Sequence, residues 1–340
     1  MAKKKIVVVG GGTGNYTTLK GLRTQDCSLT AVVAMTDSGG SSGRLREEMG
    51  QLPPGDVRRC LMALASEDAR GTLMRQLFDY RFSSGDGLNG HSFGNLVLTV
   101  LTEVTGNTVT AIDAAAQLLG VQGKVLPVTL TRSTLMARLE DGANLAGEAV
   151  IGQRQEKPDV GIDHIWLEPK AYVYRPVLEA IAEADAIVLG PGDIYTSVLP
   201  NLLVEDVADA INSSKAIKIH VCNLMTKPGE SGGFRASNFL KLLQAYLGTR
   251  ECLDYLIFNS SPMPERVVRR YLSEGQWPVE LDSDECSQLV KEVVLWPVLA
   301  SGVYIRHDSR SLGEAIMEVV NRRSPAGALQ NFPISARPQG

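Results

Sequence analysis

The chain has 340 residues, 44% hydrophobic and 21% charged, the balance of a globular protein, which excludes a fibrous or disordered one. Lys and Arg number 34 against 38 Asp and Glu, a formal charge of −4, so a broad nucleic-acid or membrane-surface footprint is excluded and small partners are expected. Five scattered cysteines without a CxxC pair give neither a disulfide framework nor a zinc cage, and no apolar run approaches the roughly 18 residues of a membrane span, so a cytoplasmic protein is expected.

Lys4 to Val9 reads as a buried parallel strand, because its apolar run is β-branched and ends in glycine. A glycine turn follows, with a helix expected from about Asn15. Where a strand feeds a helix in this way, free backbone N–H groups and the helix dipole can receive an anion that a Cβ would obstruct. Gly11, Gly12, Thr13, Gly14 and Asn15 are therefore candidate ligand contacts, although the turn also suits a purely structural role. The dinucleotide fingerprint is half met, since Asn15 stands where its third glycine belongs, and no P-loop lysine follows.

A second buried strand is expected from Leu29 to Met35, and the small residues from Thr36 to Gly43 read as loop. Asp37, Ser38, Gly39 and Gly40, followed by Arg44, combine flexible backbone, hydroxyl donors and a guanidinium fork, which are the groups a phosphate or pyrophosphate needs. Asp37 suits either a ribose hydroxyl or a divalent cation held between phosphates. No lysine occurs between Gly21 and Gly123, against eight arginines, and Arg offers the planar bidentate recognition that Lys does not.

Helices are expected at Asp56 to Ala65 with Asp56 as N-cap, Thr72 to Phe82, Phe93 to Thr105, and Thr110 to Leu119 with Thr110 and Asp113 at capping-box spacing. Arg58 and Arg59 either face the same anion or lie on a solvated helix face. His91 and Asn95, in NGHSFGN, are placed to meet a ligand, His91 as acid, base or donor; a histidine near a helix start serves structure equally well. Strand-like runs at Val125 to Leu130, Leu135 to Leu139 and Ile162 to Leu167 suggest short antiparallel pieces.

Strict alternation resumes with helix Val177 to Glu183, strand Ala186 to Leu189, helix Leu202 to Ile211, strand Ala216 to Val221, helix Ala236 to Leu247 and strand Tyr255 to Phe258. This is the pattern of an α/β, doubly wound parallel sheet with ligands outside the strand carboxyl ends. Gly190, Gly192 and Thr196 repeat the logic of the first loop at a later strand end, and Asn223 to Gly233 forms a third loop with Lys227 and Glu230. Tyr271 and Arg306 each set an aromatic ring beside guanidinium groups, which suits a base and a sugar; equally, Tyr271 packs on helix Glu265 to Ser273 and Arg306 pairs with Asp308.

Taken in order over about residues 5 to 322, GGGTGN, TDSGGSSGRLR, LPPGDVRR, NGHSFGNLVL, LGPGDIYTSVLPNLL and NLMTKPGES resemble the YvcK family of bacterial gluconeogenesis factors, within the CofD-like superfamily. The resemblance implies a Rossmann-like three-layer α/β/α fold; with the residue pattern this gives a mostly parallel doubly wound sheet with a helical and antiparallel insertion, as a single domain over 1–322, and the Pro-, Gly- and Ala-rich stretch 323–340, without periodicity, is expected to be a flexible tail. The resemblance further implies a regulatory protein that binds UDP-sugars such as UDP-N-acetylglucosamine, linked to cell shape and to growth on gluconeogenic carbon sources, with no assigned catalytic residue. The superfamily's other branch, the 2-phospho-L-lactate transferase of coenzyme F420 synthesis, needs a divalent metal, so an Mg2+ ligated by Asp37 is the alternative. Lys227 departs from the Gln expected in that loop. A homo-oligomer and an unidentified protein partner are left open.

Overall fold

The computed structural model describes residues 2–154, 159–249 and 252–322. Strand β1 (Lys4–Gly10) runs into helix α1 (Gly12–Leu22), and β2 (Cys27–Val33) lies parallel beside it with Val9 opposite Val32. Five helices follow: α2 (Gly40–Met49), α3 (Gly55–Leu64), α4 (Ala69–Asp79), α5 (Phe93–Thr105) and α6 (Thr108–Leu119). The chain then rejoins the sheet as β3 (Lys124–Pro127), parallel to β2. A separate antiparallel trio, β4 (Thr134–Leu139), β5 (Asn144–Ala146) and β6 (Ile162–Glu168), carries the short helix α7 (Glu148–Gly152) between β5 and β6.

The second half alternates. It runs α8 (Arg175–Ala182), β7 (Ala186–Leu189), a π turn (Ile194–Val198), α9 (Leu199–Leu202), α10 (Val207–Ser213), β8 (Ile217–Val221) and α11 (Ala236–Leu247). It ends with β9 (Tyr255–Asn259), α12 (Glu265–Ser273), α13 (Ser283–Leu289), β10 (Glu292–Trp296) and α14 (Ser309–Arg322).

The main sheet is parallel throughout, in the order β10-β9-β8-β7-β1-β2-β3. Val7, Val8 and Val9 of β1 and all four residues of β7 are buried, so both faces of the sheet's middle are covered by helices, as parallel strands require. This is the expected α/β, doubly wound architecture. Strand order reverses between β1 and β7, and an open sheet of this kind leaves a crevice outside the strand carboxyl ends at that point. No described helix is long and apolar enough to cross a membrane.

Several expectations are corrected. The run after Gly123 is not one of the antiparallel pieces: β3 extends the main sheet, pairing Thr30 with Lys124, because the helices from α3 to α6 form a crossover that returns it parallel. The last four residues of the expected loop Thr36–Gly43 open α2; small residues are needed there because a Cβ on Gly43 would lie 2.1 Å from the Ser38 carbonyl oxygen. Helix α1 likewise begins three residues early, at Gly12. Asn107, not Thr110, caps α6, accepting from the backbone N–H groups of Val109 (2.7 Å) and Thr110 (3.2 Å), and Asp56 lies inside the first turn of α3 behind Pro54. The single helix expected over Leu202–Ile211 is broken, with Asp206 at φ 71° between α9 and α10. Elements α13, β10 and α14 had no counterpart in the sequence reading. The expected tail, 323–340, lies outside the described residues.

Candidate functional site

The turns after β1 and β7 meet at the reversal of strand order, so closely that no side chain fits between them. A Cβ on Gly14 would lie 1.5 Å from the Pro191 carbonyl oxygen. On the third side Gly55 brings the start of α3 against the loop after β2, where a Cβ would stand 2.2 Å from Ser42 Oγ and 2.3 Å from Asp37 Oδ2. These approaches enclose a cavity of ≈420 Å3 lined by backbone of both glycine turns and by Asp37, Asp56, Arg58, Arg59, Glu148 and Ser197. Arg59 faces the first turn, its Nη1 3.8 Å from where a Cβ on Gly12 would be.

Four carboxylates share this space: Asp37, Asp56, Glu148 and Asp193. Burial, and then the nearness of Asp37 and Asp56, push Glu148 up to about 7. Asp56 is raised in the same direction by burial and by Asp37, against the pull of Arg59 and of the Gly12 N–H. Hard oxygen donors of this kind suit Mg2+, yet among the described residues no three His, Cys, Asp or Glu side chains form a metal-ligand group.

A buried network sets the start of α2. Arg58 donates Nε to Asn95 Oδ1 (2.9 Å) and Nη1 to the Phe78 carbonyl (3.0 Å); Asn95 Nδ2 in turn donates to Ser41 Oγ (3.1 Å) and Ser42 Oγ (3.3 Å). His91 Nδ1 lies 3.1 Å from Ser41 Oγ, and burial together with Arg44 lowers its pKa, so the ring is neutral and braces the cavity wall from behind.

An adjoining cavity of ≈310 Å3 shares Thr13, Gly14, Gly192 and Asp193 with the first and is walled by Tyr271, Arg306 and His307. Tyr271 Oη accepts the Ile305 N–H (3.1 Å), and the Arg306 guanidinium lies 5.2 Å from the Tyr304 ring centroid. His307 Nε2 donates to the Cys222 carbonyl (3.1 Å), and burial brings its pKa down to about 4. Between the cavities Lys227 pairs with Asp193 and with the buried Glu230 (2.7 Å). A larger cavity, ≈760 Å3, lies at the opposite, amino end of β1 to β3, where Lys5 is paired with Glu183 and Arg23 with Glu67.

Of the residues singled out in the sequence, Gly11, Gly12, Thr13, Gly14, Asp37, Gly39, Gly40, Asn95 and Gly192 line the first cavity, and Tyr271 and Arg306 the second. Arg58 and Arg59 also line the first and Lys227 the second, while Asn15, Ser38, Arg44, His91, Gly190 and Thr196 stand behind them. Asn15 is buried with Nδ2 on Cys60 Sγ (3.5 Å), beside Gly190; Ser38 Oγ accepts the Ala149 N–H (3.0 Å) and so holds α7; Arg44 donates to the Asn89 carbonyl (2.9 Å); Thr196 donates to Glu230 (3.2 Å). Glu148, Gln153 and Arg81 line the first cavity without having been foreseen. Asp56, read as a helix cap, has its carboxylate in the cavity instead.

The family described as 2-phospho-L-lactate transferase CofD matches residues 6–299, a span that holds both glycine turns and all four carboxylates. The chain belongs to the CofD family. A relative from Nostoc sp. (strain PCC 7120) is 45% identical over 317 residues, covering 92% of this chain and 68% of its own. The gluconeogenesis factor of Halalkalibacterium halodurans is 41% identical over 326 residues, 95% of this chain and 99% of that protein. That of Bacillus subtilis is 36% identical over 320 residues, 94% and 98% of the two chains. A crystal structure from Bacillus halodurans superposes with a TM-score of 0.87 at 39% identity, covering 93% of this chain and 100% of that one. The similarity to gluconeogenesis factors agrees with the resemblance carried by the motifs.

Proposed function

We propose that this chain is a regulatory protein of the cytoplasm that binds a nucleotide-sugar of the UDP-N-acetylglucosamine type. The pyrophosphate lies against the turn Gly12–Gly14, Arg59 and the start of α2, and the rest of the ligand runs into the cavity of Tyr271 and Arg306. The observation that supports this is the continuity of the two cavities through Thr13, Gly14, Gly192 and Asp193, at the reversal of strand order where such sheets bind nucleotides. One cavity offers backbone N–H groups and guanidinium for phosphate; the other offers aromatic and polar walls for what phosphate carries. The names of the relatives agree with a regulatory part in carbon metabolism.

One observation favours a second reading, a metal-dependent transferase acting on a phosphorylated substrate. Asp37 stands close enough to raise the pKa values of Asp56 and Glu148, and an Mg2+ held by Asp37 and a ligand's phosphates would offset that repulsion. When bound, such an ion polarises a phosphoryl oxygen.

Thermal melts and calorimetric titration, with and without Mg2+, test both readings. A ligand at 100 times its Kd adds about 2.7 kcal/mol and raises Tm by several degrees. UDP-N-acetylglucosamine is expected to do so, and Tyr271→Ala and Arg306→Ala each to weaken it about tenfold. A shift given by NAD and by no UDP-sugar would sink the first reading. Mg2+-dependent transfer of the phospholactyl group of a nucleoside diphospholactate to an acceptor hydroxyl, with release of the nucleoside monophosphate, would establish the second.

A further inference from the structure

In the loop after β8, Pro228 and Gly229 make a tight turn, with Gly229 at φ 78°, a conformation that favours glycine. The Glu230 N–H donates to the Lys227 carbonyl (3.2 Å), so the side chains on either side of the turn come together, and Lys227 Nζ meets Glu230 Oε1 at 2.7 Å. The Glu230 side chain is wholly buried, and Thr196 Oγ1 also donates to it (3.2 Å). Lys227 Nζ reaches on to Asp193 Oδ2. Gly152, which ends α7, closes over the pair: a Cβ there would lie 3.1 Å from Glu230 Oε1 and 3.2 Å from Lys227 Nζ. Burial pulls the Lys227 pKa down, but Glu230 and Asp193 outweigh that and raise it, so the side chain stays a cation.

Asp193 gives that cation its place in the site. Thr13, Gly14, Gly192 and Asp193 line both the first cavity and the cavity of Tyr271 and Arg306, and Asp193 is the one among the four with a charge. A ligand that spans the two cavities must pass this carboxylate at the neck between them. Its diphosphate, lying against the turn Gly12–Gly14, would meet a like charge where water is partly excluded and repulsion is strong. Among the described residues the one ion pair of Asp193 is with Lys227. The Gln expected at this place would hydrogen-bond Asp193 without cancelling its charge.

We propose that Lys227 is a positioning residue that makes the neck passable to an anion: it neutralises Asp193 and so lets the diphosphate of a nucleotide-sugar cross from one cavity to the other. The inference rests on the nucleotide-sugar reading and deepens it, since it names the residue that sets the charge the site accepts midway along the ligand.

The test is calorimetric titration of the full chain with UDP-N-acetylglucosamine, for wild type, Lys227→Gln, and the double variant Lys227→Gln with Asp193→Asn, beside thermal melts of all three. Lys227→Gln is expected to lose at least about tenfold in affinity, and the double variant to recover most of that loss, because no carboxylate then remains at the neck. A lysine that served only to hold its loop would lower Tm and affinity in both variants alike, with no recovery. Should Lys227→Gln fail to fold because Glu230 is left buried without its partner, the same comparison is made on a Glu230→Gln background. If wild type does not bind UDP-N-acetylglucosamine, the nucleotide-sugar reading falls and takes this one with it. If wild type binds and Lys227→Gln binds equally well, or the double variant stays as weak as Lys227→Gln, only the role of Lys227 falls.

Discussion

Single side chains in this site are governed by how much charge four carboxylates can place in one cavity. Glu148 has its pKa raised from 4.5 to about 7, chiefly by burial, so the folded protein holds this proton more tightly than the unfolded chain does. The stabilisation is therefore full below the unfolded pKa and is lost as pH rises through about 7. Glu148→Gln removes the titration. It is expected to match wild type near about pH 5 and to exceed it near about pH 8 by about 1–3 kcal/mol, as read by urea melts across that range. A gap independent of pH would mean that Glu148 is not the group responsible. Asp37 was legible in the sequence because an acid at the end of a buried strand, among glycines and serines, has few other uses. Glu148 was not, since its own segment, between Gly147 and Ala149, carries no pattern; only the fold of the antiparallel trio brings it to the cavity.

Between elements, the closest approaches are made by glycine. Helix α1 packs across α14 at Gly21, where a Cβ would lie 1.8 Å from the Ser309 carbonyl oxygen, and Gly313 answers from the other side, 2.6 Å from the Gly21 carbonyl group. Backbone cannot move aside as a flexible side chain can, so Gly21→Ala must push the helices apart. Overpacking of this kind costs about 1–3 kcal/mol, measured as a lower urea midpoint with unchanged slope. Gly232→Ala, whose Cβ would meet no atom within 4 Å, is the control and should melt with wild type. Helices α5, α11 and α12 were legible to the residue because each has its apolar period and its end signals within its own sequence. Strand β3 was misread for the opposite reason: a short apolar run looks the same whichever neighbour it pairs with.

At the scale of the whole molecule, the expectation of a thiol protein without disulfides meets a structure with all five cysteines free. Burial pushes the thiols of Cys27 and Cys252 up to about 11 and that of Cys286 to about 12, and raises Cys60 and Cys222 further. Since the thiolate is the reactive form, native protein at about pH 8 should alkylate far more slowly than free thiol, and all five should react at once on unfolding. Mass spectrometry after timed iodoacetamide treatment checks this. Rapid native labelling of the half-buried Cys27 would show that its strand opens.

The sequence by itself determined the class of fold and the position of the glycine-rich strand-end loops, because periodicity, glycine and capping residues act over a few positions and leave their mark there. Tertiary structure alone decided that β1 and β7 are neighbours, that their turns meet at Gly14 and Pro191, and that Glu148 joins Asp37 and Asp56. Those are contacts between residues far apart in the chain. They are selected by the packing of the whole sheet and its helices, and no local stretch of sequence encodes which distant surface it will face.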